Sequence, residues 1–337
     1  MKVGLLSLAH VHADGYLALL PELPEVRLIG FSDDDTERAQ ATAVRTGIPW
    51  LGTDAALLAE RPDAVIVCSE NSKHRAAVEQ AAAAGAHVLC EKPIATTLAD
   101  ALLMRAACER YGVSFMTAFP MRFDASVQAL KAMLKQGELG RIYGINGINH
   151  AECPRRHRAW FVDPELAGGG AVMDHIVHLA DLYRWLLAGE ITAVYAEVGN
   201  PFLPGSVAVD TACLASVTLS NGVFASIDAS WSRPDSYPRW GHLKLEVVGE
   251  RGTVVLDAFA QHLTLYSPHA SRQPSWVNWG GNPNRAMLEA FIASVRMGSP
   301  PPVTWQDGYE ALQVALACYA SQAGGEVVPL GELAAAG

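Results

Sequence analysis

The chain has 337 residues, more than one typical domain contains, and 50% of them are hydrophobic, enough to fill two cores. Its 25 basic and 35 acidic residues give a net charge of −10 with no basic run, so we expect no nucleic-acid partner. The six cysteines form no CxxC pair and are typical of reduced, buried thiols in a cytoplasmic protein. A strand pattern begins at residue 2 and no apolar run reaches membrane length, so we expect neither a signal peptide nor a membrane partner.

The first 90 residues alternate short apolar runs with helical patterns. Strand patterns cover residues 2–8, 26–32, 63–69 and 87–90, and helical spacing covers residues 13–20, 37–46, 55–60 and 74–84. This alternation predicts an α/β fold, with a doubly wound parallel sheet that is buried on both faces. We assign residues 1–119 to this dinucleotide-binding domain, whose ligand should lie at the carboxyl ends of the strands.

An acidic run, Asp33-Asp34-Asp35, follows the second strand pattern. In a dinucleotide-binding sheet, an acidic residue at this place binds the hydroxyls of the adenosine ribose. With two more carboxylates beside Asp33 and no arginine in the turn, a 2′-phosphate would be repelled, so NAD is favoured over NADP. The alternative is that Asp33 only caps the helix that follows.

The buried strand at residues 87–90 runs directly into Glu91-Lys92-Pro93. A lysine held beside a glutamate at the carboxyl end of a strand lies where open α/β sheets bind ligands. Lys92 is therefore a candidate catalytic residue, with Glu91 orienting it. Read alone, the motif is weak, and an exposed ion pair that closes a strand is the favoured interpretation.

The second half of the chain has a different pattern. Successive strand patterns between residues 192 and 266 are separated by turn signals, which predicts a large, mostly antiparallel open sheet with one face covered by helices. Helical patterns cover residues 125–136, 170–187, 286–297 and 307–323. We assign residues 120–304 to a second, α+β domain for substrate binding and oligomerisation, and 305–337 to a terminal helix and tail.

Within that domain, Gly168-Gly169-Gly170 precedes Asp174 and His178. A spacing of four places the carboxylate and the imidazole on one face of a helix, so that Asp174 can orient His178 or stabilise its charge. The glycines would let the helix begin close to a ligand. The alternative is a pair that only supports an exposed helix, and we interpret His175, on another face, as structural.

In combination these motifs resemble the Gfo/Idh/MocA family of oxidoreductases, and the resemblance covers essentially the whole chain. Residues 69–74 are similar to the family's Thr-Pro-Asn-x-x-His, and the segment ending in Met121-Arg122-Phe123 also matches. The resemblance implies a Rossmann-type domain that binds NAD, a homodimer or homotetramer built on the open sheet, and a last helix that returns to the first domain. It also implies a set of cofactor contacts: Ser7, Leu8, Ala9, His10, Val11, His12, Asp33, Ser69, Glu70, Asn71, His74, Glu91, Lys92 and Arg122.

The first turn departs from the family pattern. Where Gly-x-Gly-x-x-Gly is usual, the chain has Ser7-Leu8-Ala9-His10-Val11-His12, with no glycine at any of the three places. Serine and alanine are small enough to replace glycine, but His12 is not, so either the helix is displaced or His12 points outward to the phosphates or the substrate. The His10-x-His12 pair also suggests the metal site of an amidohydrolase barrel, but no eightfold barrel follows, and we expect no metal.

These residues predict hydride transfer between a nicotinamide cofactor and a hydroxyl-bearing carbon, with His178 as general base, Lys92 on the same oxygen and Asp174 assisting. The resemblance implies a sugar, cyclitol or sugar derivative as substrate. Arg155, Arg158 and Trp160 would form a lip over it, suited to an anionic group and a sugar ring. Five further residues are possible contacts: Trp231, Arg233, Trp276, Trp279 and Arg285. Relatives that cleave glycosidic bonds with NAD, and regulators that sense a dinucleotide, remain alternatives.

Overall fold

The computed structural model describes residues 1–239, 241–260 and 280–331 in full and the backbone of 262–265 and 275–278. These residues form two compact units. The first contains Met1–Pro120, His157–Gly168 and Asn284–Leu312, and the second contains Met121–Arg156, Gly169–Pro283 and Gln313–Gly337. The sequence division at residues 119 and 304 separated 157–168 and 284–304 from the first unit, because linear order does not show where a returning segment packs.

The first unit is built on a five-stranded parallel sheet, which confirms the doubly wound prediction. Its strands are β1 (Lys2–Leu6), β2 (Arg27–Ser32), β3 (Ala64–Val67), β4 (His87–Cys90) and β5 (Phe115–Thr117). Their order is β2-β1-β3-β4-β5, so the direction of winding reverses between β1 and β3. A ligand is expected beyond the carboxyl ends of the strands at that reversal.

Five helices connect these strands: α1 (His12–Leu19), α2 (Thr36–Thr46), α3 (Asp54–Ala59), α4 (His74–Ala83) and α5 (Leu98–Tyr111). Local signals set several of their ends. Asp35, Thr53 and Thr97 cap α2, α3 and α5 by accepting a backbone N–H. Gly47 and Gly112 end α2 and α5 in the left-handed conformation.

The second unit contains a seven-stranded sheet, which confirms the prediction of a mostly antiparallel one. Its strands are β6 (Ile142–Ala151), β7 (Ile191–Gly199), β8 (Ala212–Leu219), β9 (Phe224–Ser230), β10 (Gly241–Gly249), β11 (Gly252–Asp257) and, late in the chain, β14 (Val328–Pro329). The order is β11-β10-β6-β9-β8-β7-β14, and among the described strands of this sheet only β6 and β9 pair in parallel. Two further strands, β12 (His262–Leu265) and β13 (Ser275–Asn278), pair with each other.

The remaining helices are α6 (Ala125–Lys135), α7 (Pro164–Ala167), α8 (Val177–Leu187), α9 (Pro283–Met297) and α10 (Trp305–Gly324). Helix α8 lies on the inner face of the second sheet. Its buried Tyr183 donates a hydrogen bond to the Ser226 carbonyl of β9 at 2.7 Å, and a Cβ at Gly147 of β6 would collide with the Tyr183 hydroxyl. In the described part of the chain, no helix is both long enough and apolar enough to span a membrane.

Candidate functional site

The turn after β1 forms without the three glycines. Ser7, at the first glycine place, adopts a left-handed φ of 66°, a conformation that glycine adopts at no steric cost. The Ser7 hydroxyl accepts a hydrogen bond from the Ala9 amide at 3.1 Å, which compensates in part for that strain. Ala9 is fully buried, and α1 begins at His12. The tight turn is therefore retained with different side chains.

The carboxylate of Glu91, directly after β4, gathers donors from this turn and from α1. Tyr16 donates to Oε1 at 2.6 Å, and His12 Nδ1 lies 3.0 Å from the same oxygen. The Lys92 amide donates to Oε2 at 3.2 Å, and His10 Nε2 lies 3.9 Å from it. Burial by itself opposes ionisation of Glu91, but His10, His12 and the hydrogen bonds from His12 and Tyr16 hold its pKa below the usual value. Glu91 is thus an anionic centre that fixes the histidine-containing turn.

His10, His12 and Glu91 are also residue types that bind transition metals, and their ligand atoms lie within 4.8 Å of one another. The hydrogen bond that His10 accepts favours a hydrogen-bonding role for this ring over metal ligation. The His12 amide donates to His10 Nδ1 at 3.2 Å, so a neutral His10 ring carries its proton on Nε2, the atom that faces Glu91. A metal on Nε2 would need that proton removed and the amide contact broken. The expectation of no metal at His10-x-His12 stays a prediction.

Lys92 is buried at the carboxyl end of β4. The loop that follows it contacts the buried ring of His74. His74 Nδ1 lies 3.1 Å from the Pro93 carbonyl oxygen and 3.2 Å from that of Ile94, and Nε2 lies 3.2 Å from the Ser69 carbonyl oxygen. Because this ring is fully buried among backbone carbonyls, it joins the ends of β3 and β4 rather than contacting a ligand. The cofactor contact expected of His74 is therefore replaced by a structural role.

Asp33 lies at the carboxyl end of β2, as predicted, but its carboxylate has an unexpected partner. Arg38, in the first turns of α2, folds back and donates from Nε to Oδ2 at 2.8 Å and from Nη2 to Oδ1 at 2.6 Å. The Leu8 amide of the first turn donates to the same carboxylate at 3.1 Å. The expectation of a turn without arginine was therefore wrong, because a residue five positions later reaches back into it.

The end of β3 has polar atoms without partners in the described residues. Ser69 Oγ, Glu70 Oε2 and Asn71 Oδ1 are buried and make no hydrogen bond there. Buried polar atoms are rarely left unsatisfied, so this edge is suited to a ligand rich in hydroxyl and amide groups. Together with the left-handed Ser7 and the carboxylate of Asp33, these atoms fit a dinucleotide.

Residues 157–168, which include Arg158 and Trp160 of the predicted lip, pack onto the first turn of their own unit. Trp160 is only 7% exposed, donates from Nε1 to the Ala9 carbonyl at 2.9 Å, and stacks on Phe161 at a ring separation of 4.0 Å. Arg158 pairs with Asp14 of α1 at 3.2 Å. The substrate contacts expected of Arg158 and Trp160 are therefore not supported, and the exposed Arg155 is the member of the lip to which that expectation still applies.

In the second unit, the predicted helix at 170–187 begins with a π-helical turn, Val172–Ile176, and continues as α8. Such single turns are frequent at functional sites because they displace side chains from the regular α-helical positions. His178 is partly exposed, whereas every residue from 171 to 177 is buried. The structure therefore presents His178 at an accessible position near the start of α8.

Asp174 lies in the π turn and has contacts that the spacing argument did not include. The indole Nε1 of Trp231 donates to Asp174 Oδ2 at 3.1 Å, and His175 Nε2 approaches the same oxygen at 3.4 Å. Trp231, considered above as a substrate contact, is buried and orients the Asp174 carboxylate instead. The interpretation of His175 as structural stays a prediction.

The start of this helix is held by Asp210. Its carboxylate accepts the Gly170 amide and the Val172 amide, each at 2.8 Å, and its backbone carbonyl accepts the Ala171 amide at 3.1 Å. The Tyr319 hydroxyl of α10 donates to the same carboxylate at 2.6 Å. A Cβ at Gly169 would collide with Tyr319, and one at Gly170 with Asp210. These two glycines are therefore required for this packing.

The remaining residues that were predicted to contact cofactor or substrate have other partners in the structure or lie outside its described part. Arg122 forms a buried ion pair with Asp181 of α8, with Nε 2.8 Å from Oδ2, so its expected cofactor role is replaced by a structural one. Arg233 contacts the rings of His150 and His242. Arg285 pairs with Glu22 and Glu289 in the first unit. Trp279 and the side chain of Trp276 lie outside the described residues.

Comparison with known proteins gives two matches along the chain. Residues 3–119 match the model described as an oxidoreductase family with an NAD-binding Rossmann fold, and residues 127–255 match the GFO/IDH/MocA C-terminal domain. The chain belongs to the GFO/IDH/MocA family. It is therefore an oxidoreductase with a Rossmann domain that binds NAD, as the sequence motifs indicated.

Family members of similar length align over most of the chain. The D-apiose dehydrogenase of Paraburkholderia graminis is 29% identical over 98% of this chain and 89% of its own length. The inositol 2-dehydrogenase of Acidothermus cellulolyticus is 30% identical over 92% of this chain and 89% of its own length. The solved structure of GenD2 from gentamicin A biosynthesis, in complex with NAD, has a TM-score of 0.87 at 23% identity, covering 98% of this chain and 96% of GenD2. At that identity the GenD2 match supports the fold alone.

Four residues of the site escaped sequence reasoning, namely Tyr16, Arg38, Asp210 and Tyr319, and Trp231 was considered only as a substrate contact. Tyr16 is buried on α1, and Arg38 folds back from α2. Their helical spacing from the preceding turns was the sequence signal that could have indicated them. Asp210 and Trp231 precede and follow strands far from residue 174 in sequence, and no local pattern connects them to it.

Proposed function

We propose that this family member is an NAD-dependent dehydrogenase that oxidises a hydroxyl group of a sugar, cyclitol or sugar derivative, or reduces the corresponding carbonyl. The two relatives described above are named for apiose and inositol, which supports a polyhydroxylated substrate. The observation that carries the proposal is the retention of Lys92, Asp174 and His178 with the environments described above. These residues favour an enzyme over a dinucleotide sensor.

We assign the proton steps to this chain's own groups. His178 takes the proton of the substrate hydroxyl as general base, and Lys92 donates a hydrogen bond to the same oxygen, which favours the developing carbonyl. Asp174, oriented by Trp231, stabilises the charge that His178 acquires. When bound, NAD supplies the acceptor for the hydride that leaves the carbinol carbon. Reduction uses the same groups in the opposite direction.

The proposed cofactor contacts are those of the first unit that remain after the structural corrections. The turn residues Ser7 to His12 adjoin the pyrophosphate, Asp33 binds the adenosine ribose, and the end of β3 supplies Ser69, Glu70 and Asn71. Glu91 fixes the turn and Lys92. The partnerless buried atoms at Ser69, Glu70 and Asn71 support this assignment.

We also propose that the chain forms a homodimer or homotetramer. The outer face of the second sheet carries large apolar side chains that are 38 to 71% exposed: Tyr195, Leu214, Phe224 and Val255. They lie on four strands, opposite the face that α8 covers, and form a surface suited to a second subunit. We propose that copies of the chain associate through this outer face.

The test begins with a screen of polyols, sugars, sugar acids and sugar phosphates against the purified protein with NAD. On the best substrate, His178→Ala should lower turnover by roughly a hundredfold or more while NAD affinity barely changes. Lys92→Met keeps the stem without the ammonium and should lower turnover similarly. The exposed His157→Ala is the matched control. If His178→Ala retains wild-type turnover the proton path is wrong, and if NAD binds but no substrate emerges a sensor is favoured.

A further inference from the structure

The start of the helix that carries Asp174 and His178 is held by side chains that belong to distant parts of the second unit. Asp210 lies just before β8 and Tyr319 lies near the end of α10. Three consecutive amides, Gly170, Ala171 and Val172, donate to Asp210, two to its carboxylate and one to its carbonyl. A carboxylate is well suited to the first amides of a helix, which have no partner within the helix itself.

Tyr319 completes this contact. Its hydroxyl donates to Asp210 Oδ1 at 2.6 Å, and burial together with the neighbouring Asp210 raises the pKa of Tyr319, so it remains a donor. The Gly170 amide also lies 3.3 Å from the Tyr319 hydroxyl oxygen. Because Gly169 and Gly170 have no Cβ, Tyr319 and Asp210 can approach the backbone there.

The same segment also reaches the Asp174 side chain. The carbonyl of Thr211, the residue after Asp210, accepts the Trp231 amide at 2.8 Å, and the Trp231 indole donates to Asp174 Oδ2 at 3.1 Å. Thr211 is fully buried and Trp231 nearly so. Asp210 and Thr211 therefore fix both the backbone at the helix start and, through Trp231, the carboxylate that it presents.

We propose that Asp210 and Tyr319 are positioning residues that set the placement of Asp174 and His178 for proton transfer. This inference rests on the proposed function. Neither residue is assigned a contact with substrate or cofactor, so their effect should fall on the catalytic step. Tyr319 acts through Asp210, and its contribution should disappear when the carboxylate is lost.

The experiment compares Asp210→Asn, Tyr319→Phe and the double variant. Asn keeps the shape but has one acceptor oxygen, so it cannot bridge the Gly170 and Val172 amides as the carboxylate does. We expect kcat to fall at least tenfold in Asp210→Asn and less in Tyr319→Phe, with KM and the NAD dissociation constant within about twofold of wild type. The double variant should match Asp210→Asn. Tyr143→Phe, at a tyrosine of β6 in the same unit that is 44% exposed and has no assigned role, is the control and should be silent.

Wild-type kcat in both single variants would overturn the proposal, and so would equal losses of kcat and NAD affinity, which indicate general loss of structure. Additive effects in the double variant would contradict a role of Tyr319 through Asp210. If the substrate screen finds no turnover, the proposed dehydrogenase function fails, but the positioning role of Asp210 and Tyr319 can still be tested. Hydrogen exchange then tests the contact itself: protection of at least one of the Gly170 and Val172 amides should fall at least tenfold in Asp210→Asn, and unchanged protection of both would overturn it.

Discussion

Charge around Asp33 illustrates how single residues set cofactor preference. Arg38 binds Asp33, and Lys73 pairs with Asp34 at 3.0 Å and with Glu70 at 3.1 Å. Two cations therefore face four carboxylates, since Asp35 is also present. The balance stays negative, so we still expect a 2′-phosphate to be repelled even though Arg38 reaches into the turn.

We expect Asp33→Asn to reduce the preference for NAD over NADP by about tenfold, or ~1.4 kcal/mol. The substitution removes the charge that opposes the 2′-phosphate and releases Arg38 to meet it. Calorimetry with both nucleotides measures the ratio. Asp34→Asn, at a carboxylate whose side chain is 66% exposed, is the control and should change the ratio less. A wild-type protein that prefers NADP, or an unchanged ratio in Asp33→Asn, would contradict the assignment.

At the scale of elements, the segment 157–168 stabilises the first turn of its own unit. Trp160, Phe161 and Ala167 form a buried apolar cluster with Ala9, and Asn71 donates to the Ala167 carbonyl at 2.9 Å. In a glycine-containing turn the backbone itself would fit closely on the pyrophosphate. Here Ala9 is part of a hydrophobic core, so the turn depends on packing from a segment about 150 residues later.

Trp160→Phe should therefore weaken both the turn and NAD binding. The phenyl ring keeps most of the stacking on Phe161 but leaves the buried Ala9 carbonyl without its donor, at a cost of about 1–3 kcal/mol in unfolding free energy. Urea denaturation and NAD calorimetry provide the measurements. Trp50→Phe, which loses a comparable indole bond to the Gly52 carbonyl at 3.2 Å in a less buried place, serves for comparison. Equal effects of the two substitutions on NAD affinity would count against a special role for Trp160.

At the scale of the whole molecule, buried titratable groups make stability depend on pH. Burial lowers the pKa of His74, His87 and His242, and the histidine neighbours lower that of Glu91 despite its burial. The unfolded chain protonates its histidines near pH 6.5 and its glutamates near pH 4.3, roughly their usual values. Because the folded state binds these protons only at lower pH, stability is complete above about pH 7 and is lost as pH falls.

We expect the unfolding free energy to decline below about pH 6.5, first through the histidines and then, below about pH 4.3, through Glu91. His74→Gln should flatten the decline between pH 7 and 5 by on the order of 1 kcal/mol, because it removes one buried imidazole. Urea titrations at several pH values measure the slope. An identical slope in His74→Gln and wild type would refute the contribution of this residue.

Association of copies of the chain through the outer face of the second sheet is a property of the whole molecule. Light scattering at micromolar concentration should give a dimer or tetramer for the wild type, and Leu214→Lys with Phe224→Lys should shift it toward monomer, because the charges cannot be buried unpaired. Val44→Lys, at an apolar side chain of α2 that is 88% exposed, should have no effect. A monomeric wild-type protein would remove the proposal.

Much of the fold followed from local patterns. The alternation of apolar strands and helices predicted the parallel sheet, and β4 has the predicted bounds because a continuous apolar run ends at a charged pair. Asp33, Glu91 and Lys92 were predicted as site residues because the carboxyl ends of parallel strands share one edge. Such features depend on periodicity and on neighbours along the chain, which the sequence displays directly.

Other features were decided only by tertiary packing. His74 and Trp160 resemble ligand contacts in sequence, yet burial against backbone carbonyls and Ala9 gives them structural roles. The partners of Asp174 and of the helix start come from residues 210, 231 and 319, and their approach depends on glycines whose spacing alone suggested room for a ligand. The sequence by itself determined the family, the two sheets and the principal chemical groups. Which side chain orients which group was decided by tertiary structure, because hydrogen bonds and burial join residues whose separation along the chain contains no information about their contact.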